Sequence, residues 1–180
     1  MVDLAYSLRR AGPEDAAILS ALKIACWRDT YVGRLPADLL ASLDDDPFHS
    51  VEAWRAVLDA DGPERVTEIV ALDGNDIGLL RYGPYDGMLP GWRGKIDAIY
   101  LLAPARGQGL GARLIAHARL RLAAMRLAPV AIDVFEFNAR ARRLYERLGA
   151  RAIGRAVAFE HAGEPIEEVV LGWPEVSVGV

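Results

Sequence analysis

The segment that most constrains this chain reads Pro104-Ala105-Arg106-Gly107-Gln108-Gly109-Leu110-Gly111. A β-type run, Lys95–Leu102, precedes it. A helical run, about Leu110–Met125, follows, with Leu110, Leu114, Ala118, Leu122 and Met125 as its apolar stripe. Glycines at such a turn let the backbone approach a ligand with no side chain in the way. The helix start adds unpaired N–H groups and the positive end of the helix dipole. Together these make a phosphate or pyrophosphate site, to which Arg106 can add a charge-assisted contact.

The remaining composition narrows the class. At roughly 100–200 residues per domain, a chain of 180 residues is one domain, residues 1–180. Apolar residues make up 52% and charged residues 26%, a globular balance. The net charge of −4 argues against a basic nucleic-acid binder. Cys26 is the only cysteine, so no intrachain disulfide and no multi-cysteine zinc site can form. His49, His117 and His161 are scattered and make no ligand pair, so no metal is expected. The N-terminus does not read as a signal peptide, and the apolar stretch Leu110–Ile132 is broken by Arg113, His117, Arg119, Arg121 and Arg126. These features predict a soluble, cytoplasmic protein with no membrane partner.

Leu4–Arg10 reads as an opening strand. Gly12-Pro13-Glu14-Asp15 starts a helix that should fade near Trp27. Short helices follow at Pro36–Leu43 and Val51–Leu58. Val66–Leu72 and Ile77–Tyr82 form a hairpin across Asp73-Gly74-Asn75. Gly83–Gly94 is a long, exposed loop that could shape a substrate entrance. Val130–Phe135 is a strand, and Asn138 opens a helix that ends at Leu148 with Gly149 after it. Ala152–Phe159 and Ile166–Leu171 close the chain as strands. The result is a mixed α/β domain.

Three phosphate-binding patterns bear on the glycine segment. A Walker A loop is excluded, because no Gly-Lys-Ser or Gly-Lys-Thr exists. A dinucleotide fingerprint fits in part: Gly109-x-Gly111 starts it and Asp133 lies about where its ribose-binding acid belongs, but its third glycine would fall at Leu114. The third pattern is Arg106-x-x-Gly109-x-Gly111. It resembles the Arg/Gln-x-x-Gly-x-Gly/Ala signature of the GNAT acyltransferase superfamily. A tight strand–helix turn with no ligand is the bland alternative.

A second constellation strengthens the resemblance. Asp133-Val134-Phe135-Glu136-Phe137-Asn138, then Leu144-Tyr145-Glu146-Arg147-Leu148-Gly149, resembles the family's strand, Asn, helix and Leu-Tyr-Glu-x-x-Gly-Phe pattern, with Ala150 in place of the usual Phe. Ile99-Tyr100-Leu101-Leu102-x-Pro104 is similar to the strand before its loop. Trp27-Arg28-x-Thr30-Tyr31-x-Gly33-x-Leu35-Pro36 looks like a segment of its small-molecule members. Residues 95–149 are the specific part.

The resemblance implies the GNAT fold: a mixed, mostly antiparallel sheet of about seven strands with four to five helices. It implies acetyl transfer from acetyl-CoA to a primary amine of a small molecule or peptide. The pyrophosphate would sit on the N–H groups of Gly107, Gln108, Gly109, Leu110, Gly111 and Ala112. An N–H at Leu101 or Leu102 would polarise the thioester carbonyl. Asn138 would hold the pantetheine arm, and the Tyr145 phenol would protonate the departing thiolate. Arg142 belongs to a basic helix face with Arg140, Arg143 and Arg147, which is either a solvated face or a contact for the 3′-phosphate. Asp133 aligns with a catalytic acid position in some members, with Asp97 and Glu136 as other base candidates. Trp27, Tyr31 and Tyr82 are expected to line the acceptor pocket.

Several features are set aside. Cys26 falls on an apolar stripe and reads as core, and His117 should lie on its helix surface. Two other classes remain: an acyl-CoA-binding module without transferase activity, and a dinucleotide-binding protein. A homodimer through the last strands is the ordinary route to assembly.

Overall fold

In the computed structural model, which describes residues 6–174, seven strands form one sheet in the order β1-β2-β3-β4-β5-β7-β6. The strands are β1 (Tyr6–Arg10), β2 (Val66–Leu72), β3 (Asn75–Pro84), β4 (Gly94–Leu101), β5 (Val130–Phe135), β6 (Arg151–His161) and β7 (Glu164–Trp173). The helices are α1 (Ala16–Tyr31), α2 (Ala37–Ala41), α3 (Val51–Ala60), α4 (Leu110–Ala124) and α5 (Ala139–Arg147). Leu4, where the first strand was expected to begin, lies outside the described residues. The chain divides into two compact units, residues 6–81 with Ala98–Gly111, and Tyr82–Asp97 with 112–174.

In the first unit β1 pairs antiparallel with β2, Tyr6 opposite Leu72 and Arg10 opposite Glu68. A 3₁₀ turn at Pro13–Asp15 leads into α1. Asp15 is buried and accepts both guanidinium nitrogens of Arg9 at 2.8 Å and the Gly12 N–H at 3.0 Å. Those Arg9 hydrogen bonds, against the cost of burial, hold its carboxyl below the usual range. α1 runs to Tyr31, past the expected end at Trp27. Trp27 and Tyr31 stand four apart, both buried and edge-to-face at 5.3 Å, so the apolar stripe continues for another turn. The core beneath gathers Ala16, Leu19 and Leu22 of α1, Trp54 of α3, Ile69 of β2 and Leu79 of β3.

In the second unit β4 and β5 run parallel over three residue pairs, Gly94–Ile96 against Val130–Ile132. β7 runs antiparallel to β5 along all six residues of β5, and β6 lies outside β7. Period-2 alternation then gives this part of the sheet two unlike faces. One carries Ile96, Ile132, Leu171 and Trp173, all buried. The register places Lys95, Asp133 and Glu168 on the other. The buried α4 residues are Leu110, Leu114, Ile115, Ala118 and Leu122. Trp173 donates its indole N–H to the Leu148 carbonyl at 2.9 Å, which ties the end of α5 to β7.

The expected exposed loop Gly83–Gly94 is shorter and partly laid down. Gly83 and Pro84 complete β3. The Trp92 ring lies on Gly172, where a Cβ would come within 2.2 Å of it, and Leu89 packs on Gly154. The tip at Met88 stays exposed. His117, expected on the surface, is half-buried in edge contact with Tyr82 at 6.2 Å.

Candidate functional site

The glycine loop belongs to the first unit. After Leu102 the chain makes a 3₁₀ turn, Ala103–Ala105, with Pro104 in its first turn. Gly107 and Gly109 then take φ of 83° and 82°, the left-handed region that disfavours any side chain. A Cβ on Gly109 would meet nothing within 4 Å, so the demand there is conformational and the space above is open. Gln108 turns back, its Nε2 donating to the Pro104 carbonyl at 2.8 Å. Gly107, Gln108 and Gly109 are exposed, while Leu110 is buried and fixes the start of α4. The N–H groups opening a helix have no intrahelical acceptor, so this stretch can receive an anion.

Arg106 does not point into that space. Its Nε donates to the Leu101 carbonyl at 2.6 Å and its Nη1 to Asp29 on α1. The neighbouring Cys26 thiol is pushed up to about 11 by burial, with the Arg106 charge pulling the other way, so the thiol stays protonated. The Leu102 N–H donates to the Ile77 carbonyl at 2.8 Å. This corrects the expectation that it could serve a thioester. Backbone alternation turns the Leu101 N–H to the opposite side.

The second unit carries the other expected residues. The Asp133 carboxylate accepts the Lys95 ammonium at 2.6 Å, and Asp86 stands 3.9 Å from the same nitrogen. Burial alone would lower the Lys95 pKa. The Asp133 hydrogen bond and the charges of Asp133, Asp97 and Asp86 outweigh it and raise it. Glu168, one strand further, is pushed up to about 7 by burial and then by the Asp133 charge, with Lys95 opposing. Asn138 caps α5, its Oδ1 accepting the Ala141 N–H at 3.2 Å. Arg142 donates Nη1 to the Glu136 carbonyl at 3.1 Å, and its Nε is buried without a partner. Tyr145 is buried, its ring edge-on to Trp173 at 6.0 Å.

The sequence matches the acetyltransferase (GNAT) family over residues 26–150. The chain belongs to that family. This GNAT acyltransferase is 29% identical over 173 residues to an uncharacterized N-acetyltransferase, YuaI, of Bacillus subtilis (strain 168), covering 95% of this chain and 94% of that one. It is 30% identical over 121 residues to a thialysine N-epsilon-acetyltransferase of Bos taurus, covering 58% and 66%. Its fold is shared with a PaiA N-acetyltransferase of Thermoplasma acidophilum solved in complex with coenzyme A, at TM-score 0.73 and 14% identity over 96% of this chain and 100% of that one.

The GNAT match runs through both units, and so do the residues singled out from sequence. The first holds Leu101, Leu102, Arg106, Gly107, Gln108, Gly109, Leu110 and Gly111, together with Trp27 and Tyr31. The second holds Ala112, Asp133, Asn138, Arg142, Tyr145 and Tyr82. The three aromatic residues expected at an acceptor pocket are packed inside the protein: Tyr82 is 0% exposed, and Trp27 sits between Tyr31 and His49. Two charged residues of the second unit were missed, Lys95 and Glu168. Glu168 follows Glu167 and precedes the apolar run Val169–Leu171, so the sequence alone does not single it out. The register that sets it beside Asp133 is not legible there either, because β7 enters the sheet between β5 and β6. The antiparallel β5–β7 and β6–β7 pairs also remove the dinucleotide reading, which needs successive parallel strands. No helix among the described residues is long and apolar enough to cross a membrane.

Proposed function

We propose that this GNAT chain moves an acetyl group from acetyl-CoA directly to a primary amine of a small molecule or peptide. The observation that carries the reading is the turn at Gly107–Gly111: two left-handed glycines, open space above Gly109, and the start of a long helix. That chemistry fits the pyrophosphate of coenzyme A. In this reading the backbone N–H groups of Gly107–Ala112 hold it. Arg106 acts mainly by fixing the end of β4 to α1.

The β4–β5 parallel register covers half of β5, which supports a parting of the two strands beyond Ile96 and Ile132. The Leu101 N–H then polarises the thioester carbonyl. The Asn138 amide donates to the pantetheine arm, and the Arg142 Nε, buried without a partner, meets an oxygen of the coenzyme. The amine attacks the carbonyl carbon, the C–S bond breaks, and the Tyr145 phenol gives its proton to the thiolate. No enzyme nucleophile is needed, and the protonated Cys26 supplies none. The thialysine-acetylating relative favours a side-chain amine as acceptor. Pairing of two copies through β6, the edge strand, with Val157 55% exposed, is the route to a dimer.

The test is a thermal melt with acetyl-CoA, with NAD and ATP as controls, followed by thiol release with a panel of amines. A ligand at 100 times its Kd adds about 2.7 kcal/mol. Stabilisation by acetyl-CoA alone, with amine-dependent thiol release, supports the transferase. Stabilisation without release leaves an acyl-CoA-binding module, and no stabilisation sinks both.

A further inference from the structure

We propose that Glu168 is the general base of this transferase, taking a proton from the acceptor's ammonium group, with the Lys95–Asp133 ion pair as the positioning pair beside it. The inference rests on the transferase reading above and names the residue that reading leaves open.

The geometry comes from the register. Lys95 stands opposite Ala131 in the parallel ladder, and Glu168 stands opposite Phe135 in the antiparallel one. Residues 131, 133 and 135 share a face, so Lys95, Asp133 and Glu168 share it too. The ladder between β4 and β5 ends at Ile96 and Ile132, and Asp97 and Asp133 are the next residues. The carboxylates therefore gather where the two strands stop pairing. The residue of β6 opposite Glu168 is Ala156, which brings no charge. Arg155 is engaged with Glu136 at 2.6 Å and stands 3.9 Å from Glu167. From the loop before β4, Asp86 faces Lys95.

The pairing of Asp133 and the lack of an ion pair at Glu168 among the described residues decide the role. One ammonium, Lys95, meets the carboxylates of Asp133, Asp97 and Asp86 as well as the field of Glu168. Its direct ion pair is with Asp133, at 2.6 Å. Asp133, the base candidate from sequence, is thereby spent: accepting a proton there would break a half-buried ion pair. Glu168 has no ion pair or side-chain hydrogen bond among the described residues. Burial and the Asp133 charge keep its proton affinity near neutrality, about 7, where a base is half-ready and its conjugate acid releases the proton to water.

The proton balance closes. The ammonium gives one proton to the Glu168 carboxylate, and the neutral amine forms the C–N bond. As the C–S bond breaks, its electron pair goes to sulfur, which takes the Tyr145 proton. The second amine proton returns to the Tyr145 phenolate through water. Glu168 releases its proton to solvent, so amide, free thiol and one proton leave.

The experiment measures kcat/KM against pH for the wild-type chain, E168Q and D133N, at saturating acetyl-CoA, with thialysine, spermidine and a lysine-containing peptide as amines. The wild type should lose activity on an acid limb near pH 7. E168Q should fall about 100-fold or more and lose that limb. D133N should keep the limb and move it to lower pH, because a charge that raises Glu168 is gone while Lys95 remains. A purely structural Glu168 would not move the limb. The ¹³C shift of the Glu168 carboxyl, titrated in the wild-type chain with coenzyme A bound, reads the same property without any acceptor. A wild type that transfers acetyl while E168Q keeps its rate and acid limb overturns Glu168 alone, as does a carboxyl that titrates near its ordinary value of 4.5. A wild type that acetylates none of these amines overturns the transferase reading itself.

Discussion

The two units of this chain treat charge in opposite ways. In the first, four guanidiniums pair with carboxylates: Arg9 with Asp15, Arg81 with Asp61, Arg28 with Asp44, Arg106 with Asp29. Three of them also donate to a further oxygen: Arg106 to the Leu101 carbonyl, Arg81 to Thr67 Oγ1 and Arg28 to the Leu40 carbonyl. In the second unit Lys95 is paired with Asp133, while Glu168 has no ion pair among the described residues and holds a proton near neutrality. Matched pairs fix a backbone and leave nothing to titrate near pH 7. A mismatch costs stability but leaves a group that can move protons. The first unit therefore reads as the scaffold of an anion-receiving turn, and the second as the place of acid–base chemistry.

The largest test of that contrast is Asp61→Ala. The Arg81–Asp61 pair is doubly hydrogen-bonded, with side chains only 13% and 10% exposed. Removing the carboxylate strands a buried guanidinium, at a cost of about 3–5 kcal/mol. Urea unfolding would show it as a fall in midpoint with the slope unchanged. A loss below about 1 kcal/mol, the level of a surface pair, would mean the first unit is not held by its matched charges.

Gly109→Ala comes next. An alanine in the left-handed region costs about 1–2 kcal/mol, and its methyl would project into the space kept open above the turn. Titration calorimetry should show acetyl-CoA binding weakened about tenfold. Unchanged affinity would detach the glycine turn from coenzyme binding.

Arg106→Met sharpens the same point. If the guanidinium is a structural tie, the variant loses about 1 kcal/mol of stability, discounted because Asp29 is half-exposed. Its acetyl-CoA affinity stays within about threefold of wild type. A tenfold or larger loss of affinity with stability intact would instead make Arg106 a phosphate ligand, as its place in the signature first implied.

The sequence made the local structure legible. β2 and β5 begin and end where the apolar runs do, and α4 opens at the Leu110 expected from the glycine turn. Asn138 and Gly149 bound α5 as read, the first by its side-chain cap and the second by a φ of 89°. What stayed hidden depends on pairing across distance. Tyr82 looked like a pocket residue because it precedes the Gly83–Gly94 loop, and Trp27 because its segment resembles one of the family's small-molecule members; the packing against His117 and His49 that buries them joins residues far apart in sequence. Arg106 looked free because its partner Asp29 lies 77 residues away. Asp133 looked available because Lys95 joins it only through a parallel crossover. Secondary structure follows from periodicity within a window, whereas charge pairing follows from topology.

The smallest effect isolates the mismatch itself. The folded Glu168 carboxyl sits at about 7 against an ordinary 4.5, so the folded state binds its proton more tightly than the unfolded chain does. The stability this contributes is fully present below pH 4.5 and is lost as pH rises through about 7. Glutamine stays neutral and similar in shape throughout. The melting temperature of E168Q should therefore match wild type below pH 4.5 and exceed it above pH 7. The gain is modest, because Glu168 is only half-buried and water screens part of its charge. A difference that is flat with pH would place Glu168 among paired or solvated carboxylates. The second unit would then handle charge as the first does, and the base of the reaction would have to be a water molecule or another side chain.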